Sequence, residues 1–289
     1  MCLNVFYLSI PPFNVKLESD IPSVINSINN MYQYSLQPSE IIDHFSDFHI
    51  RISSPASIRK YLKPQVQFYL DGKIPFKPLP LSQAYPFFEW GLNWCIASYS
   101  YQYLLLHAAV VEKADNVLIL PGESGAGKST LCAALVSSGW RLLSDEMAVI
   151  DTKTLELIPV VRPISLKNES IKIISKYFSS AELGESYIDT AKGTVAHMKP
   201  PKSNFMKGTE RAKLKWVVFP RFIAAKDTQL TPVGKGETVL KLAENSFNYS
   251  VLGSAGFNLL CDLVDGSECY KFEYSCLDEA IDLFQSLAE

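Results

Sequence analysis

The chain has 289 residues, 47% hydrophobic and 20% charged, with a formal net charge of −3. That length corresponds to about two domains at roughly 150 residues each. The apolar content suffices for a sizeable core and excludes a disordered tail, a collagen-like rod and a disulfide mini-scaffold, while the charge excludes a globally basic nucleic-acid binder.

Residues 3–17 read as strand material broken at Pro11-Pro12, and the absence of a basic leader predicts no secretion signal. Helical spacing follows over 21–34, with Asp20 as its N-cap. Residues 47–53 alternate as a strand, and 66–79 read as a hairpin turning at Asp71-Gly72. These elements predict a small N-terminal α/β domain over residues 1–80, of unknown role, in which His44 and His49 are structural or surface residues. Pro78, Pro80 and Pro86 mark its boundary, and a helix rich in Trp and Phe runs from Tyr85 to Tyr99. The uncharged stretch Trp90–Val111 contains Asn93, Ser98, Gln102 and His107, which predicts a buried helix and strand rather than membrane insertion. The six cysteines form no CxxC pair and read as reduced, mostly buried thiols of a cytoplasmic protein.

The clearest motif is Gly122-Glu123-Ser124-Gly125-Ala126-Gly127-Lys128-Ser129, followed by Thr130. It matches GxxxxGK[ST] at each fixed position. Glycines let successive N–H groups point at phosphate oxygens, Lys128 supplies a charge for the β and γ phosphates, and the Ser129 hydroxyl can ligate magnesium. An apolar strand, 116–120, enters the loop, and a helix over 128–138 leaves it, with Gly139 at its C-terminus.

A second strand, 140–144, ends at Asp145-Glu146. A right-handed crossover makes it parallel to the first and brings both acids to the edge that carries the loop. One acid can hold magnesium and the other can accept a proton from an attacking hydroxyl. Residues 104–111 read as one strand of a hairpin with 116–120. Centred near Ala114, it sets residue 121 opposite His107, beside the loop and the acid pair, where His107 could tune Asp145. Residues 192–226 hold nine basic residues against Glu210, a segment charge of +8 that leaves −11 for the rest. Most of these lysines read as a solvated surface. Lys192, His197 and Arg221 are candidates for contact with phosphates or an acidic substrate. Without interleaved aromatics, nucleic acid is not an expected partner. After residue 238 helix and strand alternate to the C-terminus.

His107-Ala108, GESGAGKST and WRLLSDE together resemble the catalytic domain of HPr kinase/phosphorylase. Segments 88–95, 162–168, 192–201, 219–221 and 246–249 look like the HPr kinase-related proteins of the A type, linked with exosortase clusters. The resemblance implies an α/β fold, with a P-loop domain of the HPr kinase/phosphoenolpyruvate carboxykinase type over residues 81–289. It implies ATP and Mg2+ as cofactors, Asp145 as general base with His107 beside it, and Glu146, with Ser129, on the metal. It also implies a serine of a protein or peptide as acceptor, and self-association into a homo-oligomer. The glycine-rich loop of the phosphorylase reaction is not recognisable, so reversal by phosphate is not expected. A small-molecule hydroxyl of a glycan pathway and a non-catalytic ATP-binding switch or scaffold are the alternatives.

Overall fold

A computed structural model describes residues 3–38, 45–55, 63–123 and 125–289. Strands β1 (Asn4–Ile10) and β2 (Phe13–Ser19) form a hairpin around a cis Pro11-Pro12 peptide. Helix α1 (Pro22–Met31) is preceded by Ile21 rather than capped by Asp20. Pro22 sets this start, because a first-turn proline lacks an N–H that would go unpaired there anyway. Strands β3 (Phe48–Ser53), β4 (Gln65–Leu70) and β5 (Leu79–Pro80) complete a five-stranded sheet in chain order. Alternation along β3 buries Phe48, Ile50 and Ile52 and leaves His49 exposed, whereas His44 lies outside the described residues. The Asp71-Gly72 turn is present with both φ angles positive, but it closes only the bridge Leu70–Lys73. The chain pairs with β4 again at Leu79–Pro80.

Helix α2 (Ala84–Tyr99) covers this sheet. Its Phe87, Phe88, Leu92 and Ile96 share one core with Leu17, Ile28, Ile50 and Phe68, and the same core takes in Leu105, Met147 and Val149. Each such fully buried side chain contributes about 1.5–3 kcal/mol of hydrophobic stabilisation. The boundary expected near residue 80 therefore falls inside continuous packing.

The chain continues through β6 (Tyr103–Leu106), β7 (Ala108–Lys113), β8 (Asn116–Pro121), α3 (Lys128–Ser137), β9 (Arg141–Ser144), β10 (Ala148–Asp151) and β11 (Leu157–Ile158). Then come β12 (Ile164–Lys167), α4 (Glu169–Tyr177), β13 (Tyr187–Thr190), β14 (Gly193–Met198), α5 (Lys202–Met206) and β15 (Lys213–Phe222). The last elements are β16 (Gln229–Pro232), α6 (Lys235–Glu244), α7 (Tyr249–Asp265), β17 (Glu268–Tyr274) and α8 (Leu277–Ala288). The chain is thus mixed α/β.

The largest sheet has six strands in the order β16-β17-β15-β8-β7-β9. Strands β17 and β15 run parallel to β8, while β7 is antiparallel both to β8 and to β9. Strand β9 is therefore parallel to β8, as expected, but β7 lies between them. Its hairpin partner occupies the edge of β8 first, so the crossover through α3 must pass one strand further. Two smaller sheets, β11-β10-β6 and β12-β14-β13, flank this one. Residues 193–198, which carry the candidate His197, are the central strand of the latter. Among the described residues no helix is long and apolar enough to cross a membrane.

Candidate active site

The C-terminal edge of β8 gathers the ends of five strands. Pro121 pairs with Ala108, so β8 ends where β7 begins. Antiparallel β9 ends beside Val110, and β15 and β17 reach the same edge at Phe222 and Tyr274. Gly122–Thr130, His107, Asp145 and Glu146 consequently meet there. The hairpin register differs from expectation by one residue. Ala114 and Asp115 both adopt positive φ, 51° and 64°, and form a two-residue turn that pairs Lys113 with Asn116. His107 thus falls just outside the ladder. Its N–H donates to the Asn245 carbonyl at 2.7 Å, which divides the expected single strand 104–111 into β6 and β7.

The loop curls on glycines held at positive φ. Gly122, Gly125 and Gly127 have φ of 146°, 92° and 93°. At Gly127 a Cβ would also come within 2.8 Å of the Tyr274 hydroxyl. Ser124 lies outside the described residues. Glu123 and Gly125 are exposed, Ala126, Ser129 and Thr130 are half-buried, and Lys128 is buried at the start of α3. The Lys128 ammonium donates to the carbonyls of Gly122 and of Glu123, the latter at 2.8 Å. Burial lowers its pKa to about 8, with Asp145 opposing that fall.

Asp145 is 6% exposed. Its Oδ2 accepts the Ser165 N–H at 2.9 Å, while Oδ1 is buried with no hydrogen-bond partner. Burial raises its pKa to about 6, with Glu146 adding to the rise and the Ser165 N–H and Ser129 hydroxyl opposing it. Burial also pushes the Glu146 carboxyl up, but Lys192, Lys167 and Arg162 together outweigh that and hold it below the usual range. Two neighbouring carboxyls thus diverge: one is tuned towards a base that titrates near neutrality, the other towards a permanent anion. Burial, reinforced by Lys128, lowers His107 to about 4, so its imidazole is neutral at pH 7. Its ring packs at 5.7 Å from that of Phe247.

Two cavities meet at the acids. One, of about 840 Å3, is lined by the glycine loop, Lys128, Ser129, His107, Lys167 and Tyr274. The other, of about 490 Å3, lies between α2 and the β12–β14 sheet and includes Trp90, Asn93 and Arg162. Asp145, Glu146, Ser165, Ala191 and Lys192 line both.

Of the three basic-stretch candidates, only Lys192 stands at this junction. His197 is 3% exposed within β14, its ring edge-on to Tyr85 at 5.0 Å, and it lines only the smaller cavity. Burial lowers its pKa, so it is no anion-binding cation. Arg221 is exposed on β15, in register with Glu273, and lines neither cavity; its neighbour Phe222 is the one that reaches the loop. Several other cations of the stretch are held by acids elsewhere, Lys199 by Glu182, Arg211 by Asp151 and Lys215 by Glu268.

The sequence reading assigned no role to Asn93, Arg162, Ser165 or Lys167. Asn93 donates to Glu146 and accepts from Arg162, which lies 3.8 Å from Glu89, which in turn accepts from the Tyr32 hydroxyl at 2.9 Å. A buried polar chain thus runs from α1 to the acid pair. All four residues sit in segments quoted for the family resemblance, but nothing in their local pattern marks a partner.

The residues fit a magnesium-bound triphosphate. The glycine loop would hold phosphates, and Asp145, Glu146 and Ser129 line the same cavity. No group of three or more His, Cys, Asp or Glu among the described residues could hold a metal ion alone. No family model matches the chain, and no curated protein does. Among solved structures it is similar to the HPr(Ser) kinase/phosphatase from Coxiella burnetii, at 12% identity and a TM-score of 0.28, covering 63% of this chain and 96% of that chain.

Proposed function

We propose that the chain is an ATP- and magnesium-dependent kinase that transfers a phosphoryl group to a hydroxyl. The observation that carries this reading is the junction itself. A glycine cradle with its lysine and a buried carboxylate of raised pKa occupy one sheet edge, with a second cavity on the far side of that carboxylate.

Bound ATP-magnesium would supply the electrophilic phosphoryl group. Gly122–Thr130 would hold the phosphates, and Ser129 with Glu146 the metal. Lys128 would exchange its loop carbonyls for phosphate oxygens. Asp145 accepts the proton of the acceptor hydroxyl, and its raised pKa makes it a stronger base than an ordinary carboxylate. Neutral His107 lines the same cavity as Asp145 and adds no charge there. Lys192 and Lys167 face the charge that develops on the transferred group. The family resemblance implies a serine acceptor on a protein or peptide; a small-molecule hydroxyl satisfies the same chemistry.

Binding of a fluorescent ATP analogue and transfer from γ-labelled ATP, measured for wild type and Asp145→Asn, test the reading. A kinase keeps nucleotide affinity in the variant and loses transfer. Equal behaviour of the two proteins, with nucleotide bound and no label moved, would instead mark an ATP-binding switch.

A further inference from the structure

The smaller cavity touches the catalytic carboxylates yet shares nothing with the glycine loop. Resting on the kinase reading, we propose that this cavity seats the acceptor. We further propose that the acceptor is a small polyhydroxylated ring compound, of one or two sugar-sized units, rather than a protein loop.

Three observations carry this. The first is size: about 490 Å3 lies within the roughly 300–1,000 Å3 of small-molecule sites. The second is the wall. Phe76, Phe87 and Trp90 line it; Phe76 lies 4.5 Å from Trp90 between ring centroids, and Phe87 stacks on Trp90 at 6.0 Å. Phe76 and Phe87 also pack on buried Phe68, which fixes the wall to the N-terminal core. Such a surface suits the apolar C–H face of a saturated ring.

The third is the depth of the polar groups. Arg162 is 7% exposed, and its Nε and Nη1 make no hydrogen bond, although Nη1 has the Glu89 ion pair at 3.8 Å. His197 Nδ1 is likewise buried and without a partner. Buried polar atoms left unpaired are costly, and the two residues that carry these line the cavity together with Glu89 and Asn93. A compact polyol can lie against the aromatic wall beside Arg162 and His197 and present a hydroxyl to Asp145. A peptide serine carries its hydroxyl only two bonds from its Cα, so the main chain itself would have to enter the cavity. In the transfer, the acceptor oxygen forms the new P–O bond, its proton passes to Asp145, and ADP leaves with the electrons of the broken P–O bond.

The test uses the full chain, magnesium and γ-labelled ATP. One arm offers glucose, galactose, N-acetylglucosamine, ribose and myo-inositol; the other offers serine-containing peptides. Wild type is compared with Trp90→Leu, a change at a side chain 45% exposed and therefore compatible with folding. Affinity for a fluorescent ATP analogue is measured alongside. The expected result is label in at least one polyol, with KM raised tenfold or more in Trp90→Leu and nucleotide affinity within twofold of wild type. Label only in peptides, equal in both proteins, would overturn the acceptor assignment and leave the kinase reading standing. Nucleotide binding with no label in either arm would overturn it too. If the nucleotide itself does not bind, the kinase reading fails. Quenching of tryptophan fluorescence by a panel compound, absent in Trp90→Leu, would then still support a small-molecule site, and unchanged fluorescence would overturn it.

Discussion

Asp145 answers two opposed demands. A carboxylate kept from water by its neighbours is a better base, and the same burial makes its charge costly to the fold. The shift from 3.8 to about 6 has a sign that can be measured. Between those pH values the folded chain holds a proton that the unfolded chain has lost, so stability falls as pH rises through the window and stays lower above it. Asp145→Asn should therefore raise stability at pH 7 by up to about 3 kcal/mol. It should also lower transfer by roughly 10²–10⁴-fold. Thermal melts beside transfer assays check both, and a variant both less stable and inactive would contradict the account. In the wild type, transfer should climb with pH through about 6 as the base ionises. Lys128→Met should weaken binding of an ATP analogue by tenfold or more without unfolding the chain, as read by fluorescence titration. The loop and its lysine were legible in the sequence because their chemistry is contiguous. Asn93 was not, since its partners Glu146 and Arg162 stand 53 and 69 residues away and meet it only through the fold.

At the scale of elements, the hairpin β7–β8 decides what stands beside the loop. Continuous apolar runs announced both strands, but the register turned on two dihedral angles at Ala114 and Asp115 that composition does not reveal. The insertion of β7 between β8 and β9 was equally hidden, because strand order depends on contacts that no local pattern encodes. The junction of α3 with the loop makes a sharper prediction. In Gly127→Ala the new methyl meets the Tyr274 hydroxyl and the backbone must hold a positive φ of 93°. The left-handed conformation alone costs about 1–2 kcal/mol. Melting temperature and nucleotide affinity should both fall. Adding Tyr274→Phe should recover part of the loss, since it relieves the contact but not the backbone cost. Complete recovery would mean that the dihedral carries no penalty.

Across the whole molecule, the prolines near residue 80 suggested a domain boundary, yet α2 buries its aromatic face on the preceding sheet and its Asn93 reaches the acid pair. A fragment of residues 81–289 should leave Phe87, Phe88 and Leu92 uncovered and fail to give a cooperative melt by circular dichroism. A cooperative, nucleotide-binding fragment would show that the first 80 residues are dispensable. Gly91→Ala probes the same seam in the full chain. Its Cβ would lie 2.1 Å from the buried Phe68 ring, an overlap that should cost about 1–3 kcal/mol in a urea titration.

The polar chain Tyr32–Glu89–Arg162–Asn93–Glu146 has a consequence for descent. Five positions drawn from distant parts of the chain answer to one another, so drift at any one of them strands a buried partner. Among related sequences they should change as a set or stay fixed. A chimaera that takes its first 80 residues from one relative and the remainder from another should work only where the donor supplies a hydroxyl at position 32.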